Sequence, residues 1–454
     1  MSTSQQLDMM EEATENTYLM EGDEESPVMG TKKMIAKDNS GVSVWKAALM
    51  FTMSIAGAGV LGISGAIAQS GGLASIAAFL MIAYTTKRSY DLLIALSLDT
   101  EGVKGSYERL GDIALGTTGR LAVFVAKFMY AFFTLIVHIK VVKDNFPSAM
   151  MGILGSSNEY LYLFEDKDVV TFVISFLVVF PLCLLRDFGL VEHTSTAKLA
   201  TVFAISFIIL HMYFTNPGRL PIQGTTVYED WLAVKPNLLP SLGTFVFFFV
   251  GHHCAHLSFD SLRKDIRDIK HWKQVSTLCV LLCIFLGICM GLTVYMTFWS
   301  ETTSIMLQLY PNTDEINVAK ILVCGFAIFT LPLPFLAVRE MIVVSIPHSE
   351  KVEDCWWLQG ETQLIGRYHF ALTFIIWFIA TMLAILAPSL NDVLNVGGCF
   401  SGSLIAYILP SLFYFSLRGY SREACFMMVL GLVVGVMGTF FAVRTMLMHL
   451  GMLP

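Results

Sequence analysis

Charge is scarce in this chain: Asp, Glu, Lys and Arg make up 14% of its 454 residues, against 55% hydrophobic, and the mean hydropathy is +0.65. A soluble domain carries about 25% charged residues to wet its surface, so a water-exposed globular fold is excluded. Enzyme signatures are missing too. No HExxH zinc pair, phosphate-binding glycine loop or nucleophile–base pair stands in the sequence, which argues against a membrane enzyme. There is no Asn-X-Ser/Thr sequon. A basic-then-apolar leader is also lacking, so the first apolar helix is expected to act as its own insertion signal. The nine cysteines all fall in expected helices or on the expected cytoplasmic side, which predicts no disulfide. Cys279 and Cys283, one turn apart, read as small apolar packing. No cofactor and no metal site is expected, because no second Cys/His segment accompanies the histidines near residue 252.

Long apolar runs dominate what is present. Runs of about twenty residues predict transmembrane helices, and eleven are found: Val44–Ala68, Leu73–Leu98, Leu121–Val137, Val169–Leu185, Ala197–Phe214, Leu238–Leu257, Thr277–Phe298, Val318–Val338, Phe370–Leu386, Val393–Leu412 and Cys425–Leu447. The expected architecture is an all-α, polytopic membrane protein. The net charge of −7 is concentrated in residues 1–43, which carry −6 and have no apolar periodicity; this acidic tail is expected to be disordered. Lys and Arg distribute twenty-one to seven in favour of the segments on the tail's side, which predicts a cytoplasmic N-terminus and an extracytoplasmic C-terminus. The basic run Arg263 to Lys273 fits topology and headgroup attraction rather than nucleic acid.

Two spans are poor helices in their middles. Gly57, Gly59 and Gly62 interrupt the first run, and each glycine costs roughly 1 kcal/mol against alanine. The sixth run ends in FFFVGHHCAH, placing Gly251, His252, His253 and His256 where lipid-facing residues are expected. Glycines that merely let helices pack closely explain either one alone. Two interruptions five spans apart instead fit a 5+5 inverted repeat, residues 44–214 and 238–417, with an added helix at 425–447 and a solute site between the broken members.

Several separated blocks resemble the amino acid/auxin permeases, and within them solute carrier family 38. Ile55 to Gly62 (IAGAGVLG) is similar to I-x-G-x-G-I-L-G, and Ser106 to Arg120 (SYERLGDIALGTTGR) to S-Y-x-x-L-x-x-x-A-x-G-x-x-G-R. Pro181 to Ser195, FFFVGHHCAHLSFDSL, Tyr310-Pro311 with Asp314, Thr330 to Glu340 and Gly397 to Pro410 extend the likeness, in order, from Trp45 to about Arg418. The resemblance implies a neutral amino acid transporter with the fold of the bacterial leucine transporter. In that fold the backbone amides at the first break, Ala56, Gly57, Ala58 and Gly59, receive the substrate carboxylate, as a helix N-terminus does. Carbonyls around Val250, Gly251 and His252 receive the α-amino group.

The resemblance also marks a departure. Sodium-coupled members place an Asn in span one and a Thr or Ser in span eight around the ion. Thr330 matches the second position, but Met53 stands at the first, and a thioether is a poor ligand for a hard cation. The expected coupling is therefore to protons or to no ion, with sodium as the other candidate. Lys198 sits where some sodium-independent relatives place an ammonium, or else is a helix-end lysine reaching the interface. Lys127, about two turns into span three, is a functional candidate by its depth. His252 is either proton-linked or bonded to helix-end carbonyls. Arg339 and Glu340 are gate candidates, pairing with each other or with Asp260 or Arg263. The function expected is secondary active transport of neutral amino acids by alternating access, in the plasma membrane or a lysosomal or vacuolar membrane. The alternative is an amino-acid-binding nutrient sensor that signals through its tail.

Overall fold

The computed structural model describes residues 41–453 apart from 101–104, 156–158, 187–193, 216–226, 304, 346–357, 360–362 and 365. The expected disordered tail, residues 1–43, lies outside the described residues except for its last three. A backbone in lipid must satisfy its own hydrogen bonds, and nearly everything described is helix. The one sheet among the described residues is a two-residue antiparallel ladder, β1 (Leu358–Gln359) with β2 (Gln363–Leu364).

The chain runs through α1 (Val44–Ile55), a 3-10 turn (Ala58–Gly62), α2 (Ile63–Ser70), α3 (Gly72–Thr100) and the long α4 (Tyr107–Leu154). α5 (Lys167–Ile174) continues through a π-turn into α6 (Phe180–Cys183), followed by α7 (Thr194–Thr215) and the short α8 (Val227–Leu232). The second part comprises α9 (Leu238–Phe249), α10 (His252–Asp260), α11 (Ile269–Gly287) with its extension α12 (Thr293–Phe298), α13 (Asp314–Thr330) and α14 (Pro332–Ser345). The last helices are α15 (Gly366–Leu386), α16 (Leu390–Gly397) leading through π-turns to α17 (Leu409–Arg418), and α18 (Arg422–Leu432) leading to α19 (Thr439–His449).

Among the described residues, seven helical stretches are long and apolar enough to cross a bilayer, several of them two joined helices such as α9 with α10, or eight when the bent pair α1 and α2 is one span. This is a multi-pass integral membrane protein, but the expected count of eleven is not confirmed. Three expected spans account for the difference. α3 carries Lys87, Arg88 and Asp91 in its second half, α5 with α6 is short, and only the apolar part Ala200–Thr215 of α7 qualifies as a shorter helix. Span three shows the opposite discrepancy. Its apolar run ends at Val137, yet α4 continues to Leu154 and buries Lys140 beside Asp144 at 3.0 Å. Lys140 and Lys320, expected in outer segments, are 3% and 4% exposed inside α4 and α13. Pairing within the protein lets charges extend a helix that hydropathy alone would end.

Burial separates a central group of helices from a peripheral one. The stretch Leu238–Asp260 is 78% buried and Leu390–Arg418 72%, against 33% for Arg422–His449. Small residues allow the central helices to touch: a Cβ on Gly243 would lie 2.2 Å from the Asn395 carbonyl, and one on Gly398 would lie 1.8 Å from that of Gly243.

The start of α4 is a helical hairpin. Gly116 has φ +64°, a left-handed conformation open to glycine, and it reverses the chain. Gly111 and Gly119 then face each other so closely that a Cβ on Gly119 would lie 2.2 Å from the Gly111 carbonyl. The Ser106–Arg120 block thus builds a short lead helix folded back on span three. Ser106 caps it, accepting from the Arg109 amide at 3.1 Å.

Candidate functional site

Helix α1 stops at Ile55 because the next residues leave helical geometry: Ala56 has ψ 74° and Gly57 is extended at φ −97°, ψ −157°. The two halves of the span meet at a 63° bend. Span six opens over Val250 (φ −72°, ψ 113°) and Gly251 (φ −137°, ψ 10°) before α10 resumes the helix. The two openings meet. A Cβ on Gly251 would lie 2.5 Å from Cγ1 of Ile55, and one on Gly59 would lie 3.3 Å from Cα of Phe248. The side chain of Ala58 lies outside the described residues.

The expected main-chain donors are not equivalent. The Ala56 amide donates to the Thr52 carbonyl and the Gly57 amide to the Ile55 carbonyl, each at 2.7 Å. Ala58 and Gly59 open the 3-10 turn, ahead of its first bond from Val60 to Gly57 at 3.3 Å. Ala58 and Gly59 thus differ from Ala56 and Gly57 in being the first amides of a turn, which have no carbonyl behind them within it. On span six, the Gly251 carbonyl accepts from the Cys254 amide at 2.9 Å. The Val250 carbonyl accepts from the Tyr130 hydroxyl at 3.3 Å, as does that of Phe247, and the Phe249 carbonyl accepts from Tyr90. A carbonyl has two lone pairs; that of Phe247 also accepts from the Val250 amide at 3.4 Å and is filled, while that of Val250 retains a place for an ammonium donor.

Tyr90 and Tyr130 are the residues that sequence reasoning missed. Both lie on long helices without a break or motif to distinguish them, and only the meeting of α3 and α4 with span six places them there. His252 is fully buried. Its Nε2 lies 3.0 Å from Ser89 Oγ and its ring packs, tilted by 40°, 4.4 Å from that of Tyr90. The helix-end alternative, bonding to backbone carbonyls, is not what forms. Above the openings, the Asn391 amide donates to the Gly62 carbonyl at 3.0 Å and Thr244 Oγ1 to Asn395 Oδ1 at 2.6 Å. This buried network ties α16 to both broken spans.

The ion-coupling candidates separate. Met53 is half-buried, less than a turn before the first opening, and Thr330 ends α13 with its Oγ1 buried and without a hydrogen-bond partner. Lys198 lies on α7, but its side chain is outside the described residues. Lys127 forms an ion pair with Glu108 of the lead helix. The gate candidates Arg339 and Glu340 differ in their surroundings. The guanidinium of Arg339 donates to the carbonyls of Cys183 at 2.9 Å and Leu185 at 2.8 Å and touches His369 and Thr373, while Glu340 is exposed. A buried guanidinium takes the carbonyls left open where α6 ends. The Ser276 hydroxyl donates to Asp91, which pairs with Lys87 at 2.6 Å, while Arg88 pairs with Glu423 and Arg418 with Asp99.

Residues 40–448 match the family described as "Transmembrane amino acid transporter protein". The chain belongs to that family. Its relatives include the vacuolar amino acid transporter 2 of Saccharomyces cerevisiae, 22% identical over 83% of this chain and 77% of the relative. The sodium-coupled neutral amino acid symporter 2 of Danio rerio is 23% identical over 86% of this chain and 78% of the relative. The family and these relatives are transporters rather than enzymes, as expected from the missing catalytic motifs. The transporter's two openings fall inside the matched segment, as do Met53, Thr330 and Lys127.

Proposed function

We propose that the protein is a secondary active transporter of neutral amino acids that works by alternating access. The observation that carries this is the meeting of two interrupted helices, one presenting the first amides of a turn and the other presenting carbonyls. Ala58 and Gly59 suit a carboxylate by hydrogen bonding and by the positive end of the following half-helix. The Val250 carbonyl, with Tyr130 on it, suits an ammonium group. Such a site recognises what all α-amino acids share and leaves selection among them to the apolar wall of Ile55, Phe247 and Phe248. The five-plus-five repeat and the rocking of one helix group against the other accompany this reading.

The coupling ion is a proton, or there is none. Met53 removes an oxygen that a hard cation needs, although Thr330 keeps its own. The Lys and Arg distribution supports a cytoplasmic N-terminus, and both the plasma membrane and a vacuolar or lysosomal membrane fit. Competition tests the recognition. A neutral amino acid should inhibit uptake of a labelled one, whereas its methyl ester and its N-acetyl derivative should not. Equal inhibition by all three would remove the main-chain site from the account.

A further inference from the structure

Two successive residues of α3 hold the two ends of broken span six. The Tyr90 hydroxyl donates to the carbonyl of Phe249, the last residue of α9, and Ser89 Oγ lies 3.0 Å from Nε2 of His252, the first residue of α10. Only Val250 and Gly251 lie between, so α3 bridges the gap that opens the Val250 carbonyl. Ser89, Tyr90 and His252 are fully buried, where a polar group left without its partner is costly. The backbone of α3 is itself held at this level, since the Trp272 indole of α11 donates to the Tyr90 carbonyl at 3.3 Å.

Ser89 also reaches a third helix. Its hydroxyl donates to the carbonyl of Ala406, inside the π-turn Leu404–Ile408 of span ten. A hydroxyl has one hydrogen and a carbonyl has none to give, so Ser89 accepts from His252. That fixes a proton of His252 on Nε2, and one line of bonds runs from α10 through Ser89 to span ten. Such turns are rare and concentrate at functional sites. Two further bonds hold this one: Tyr107 donates to the Ile405 carbonyl at 2.7 Å, and Thr86 Oγ1 lies 2.8 Å from the Tyr407 hydroxyl. Neither of these includes a residue of span six.

We propose that Ser89 and Tyr90 form a splint across the second opening, positioning residues that set the gap in span six and tie it to the π-turn of span ten. The proposal rests on the transport reading above and names what holds the ammonium site in shape. With both bonds made, the ends of α9 and α10 are fixed to one short piece of α3, and the Val250 carbonyl between them keeps its place. Loss of either bond frees one end of the gap, so the two act as a unit. Through Ala406, a displacement of span ten is felt at the start of α10. That is a differential contact by which a moving helix changes the affinity of a site. Both residues act on the substrate through the backbone of Val250.

The test uses the full chain in liposomes and the concentration dependence of neutral amino acid uptake. Ser89→Ala and Tyr90→Phe should each raise KM by about fivefold, what one ordinary hydrogen bond contributes, with little change in kcat. The double variant should raise KM no further than either single one, because the first loss already frees the gap. Tyr107→Phe is the structural control. It removes a bond to the same π-turn that has no partner in span six, and should lower thermal stability while leaving KM unchanged. His252 tests the Ser89 bond from its other end, whatever the stability of the Ser89 variant. His252→Gln keeps a nitrogen donor for Ser89 and should keep the wild-type KM, whereas His252→Ala should raise it. An unchanged KM in Ser89→Ala and Tyr90→Phe would overturn the proposal, as would an equal rise in Tyr107→Phe. A rise in His252→Gln as large as in His252→Ala would overturn it too, as would a double variant whose rise is the product of the single ones. Wild-type protein without saturable uptake overturns the transport reading; saturable uptake that these variants leave unchanged overturns the splint alone.

Discussion

At the residue scale, the account depends on small side chains and on one missing oxygen. Gly251 has no room for a Cβ, because Ile55 from the other broken span fills that space. Gly251→Ala should destabilise the protein by about 1–3 kcal/mol through overpacking. Adding Ile55→Ala should recover a large part of that loss, as thermal unfolding of the detergent-solubilised protein would show. Without recovery, the two openings would not be packed as described. Met53 gives a second prediction. Met53→Asn restores an amide oxygen near the first opening, and sodium should then accelerate uptake by the variant. An unchanged response would mean that Met53 is not what separates this chain from sodium-coupled relatives. The glycines and the methionine were legible in the sequence, since their chemistry is local. Tyr90, Tyr130 and Glu108 were not, because their significance comes from which helix lies opposite.

At the element scale, each interrupted helix is a compromise between crossing the membrane and exposing backbone groups. Such groups are tolerable at depth where the protein itself surrounds them. α9 meets this condition, being buried from Pro240 to Phe249. The positions of both breaks followed from glycine and polar residues in otherwise apolar runs. The local bonds of the Ala56 and Gly57 amides did not, because those amides find carbonyls through turns that composition cannot reveal. Hydropathy likewise ended span three at Val137, since it gives no weight to Lys140 pairing with Asp144 one turn on. The hairpin at Gly116 yields a prediction at this scale. Gly116→Ala forces a side chain into the left-handed region at a cost of about 1–2 kcal/mol. The substitution should lower the thermal stability by loosening the hairpin that pairs Glu108 with Lys127. A variant as stable as the wild type would contradict the hairpin's role.

At the scale of the whole molecule, burial marks spans six and ten as central, and span one packs against them through Gly59, Gly62 and Asn391. Asn391, Asn395, Thr244 and Gln69 bind the central group together by side-chain hydrogen bonds. Arg418 of span ten pairs with Asp99 at the end of α3, while Arg88 with Glu423 joins two of the surrounding helices. Under the alternating access proposed above, rocking of these groups would open the site to one side at a time. The measurement that tests this most directly is amino acid uptake by the purified protein in liposomes under proton, sodium or no imposed gradient. The account predicts saturable uptake of neutral amino acids, faster with acid outside or indifferent to any ion, and not accelerated by sodium alone. Acceleration by sodium alone would contradict the reading of Met53, and saturable binding without flux would contradict transport itself.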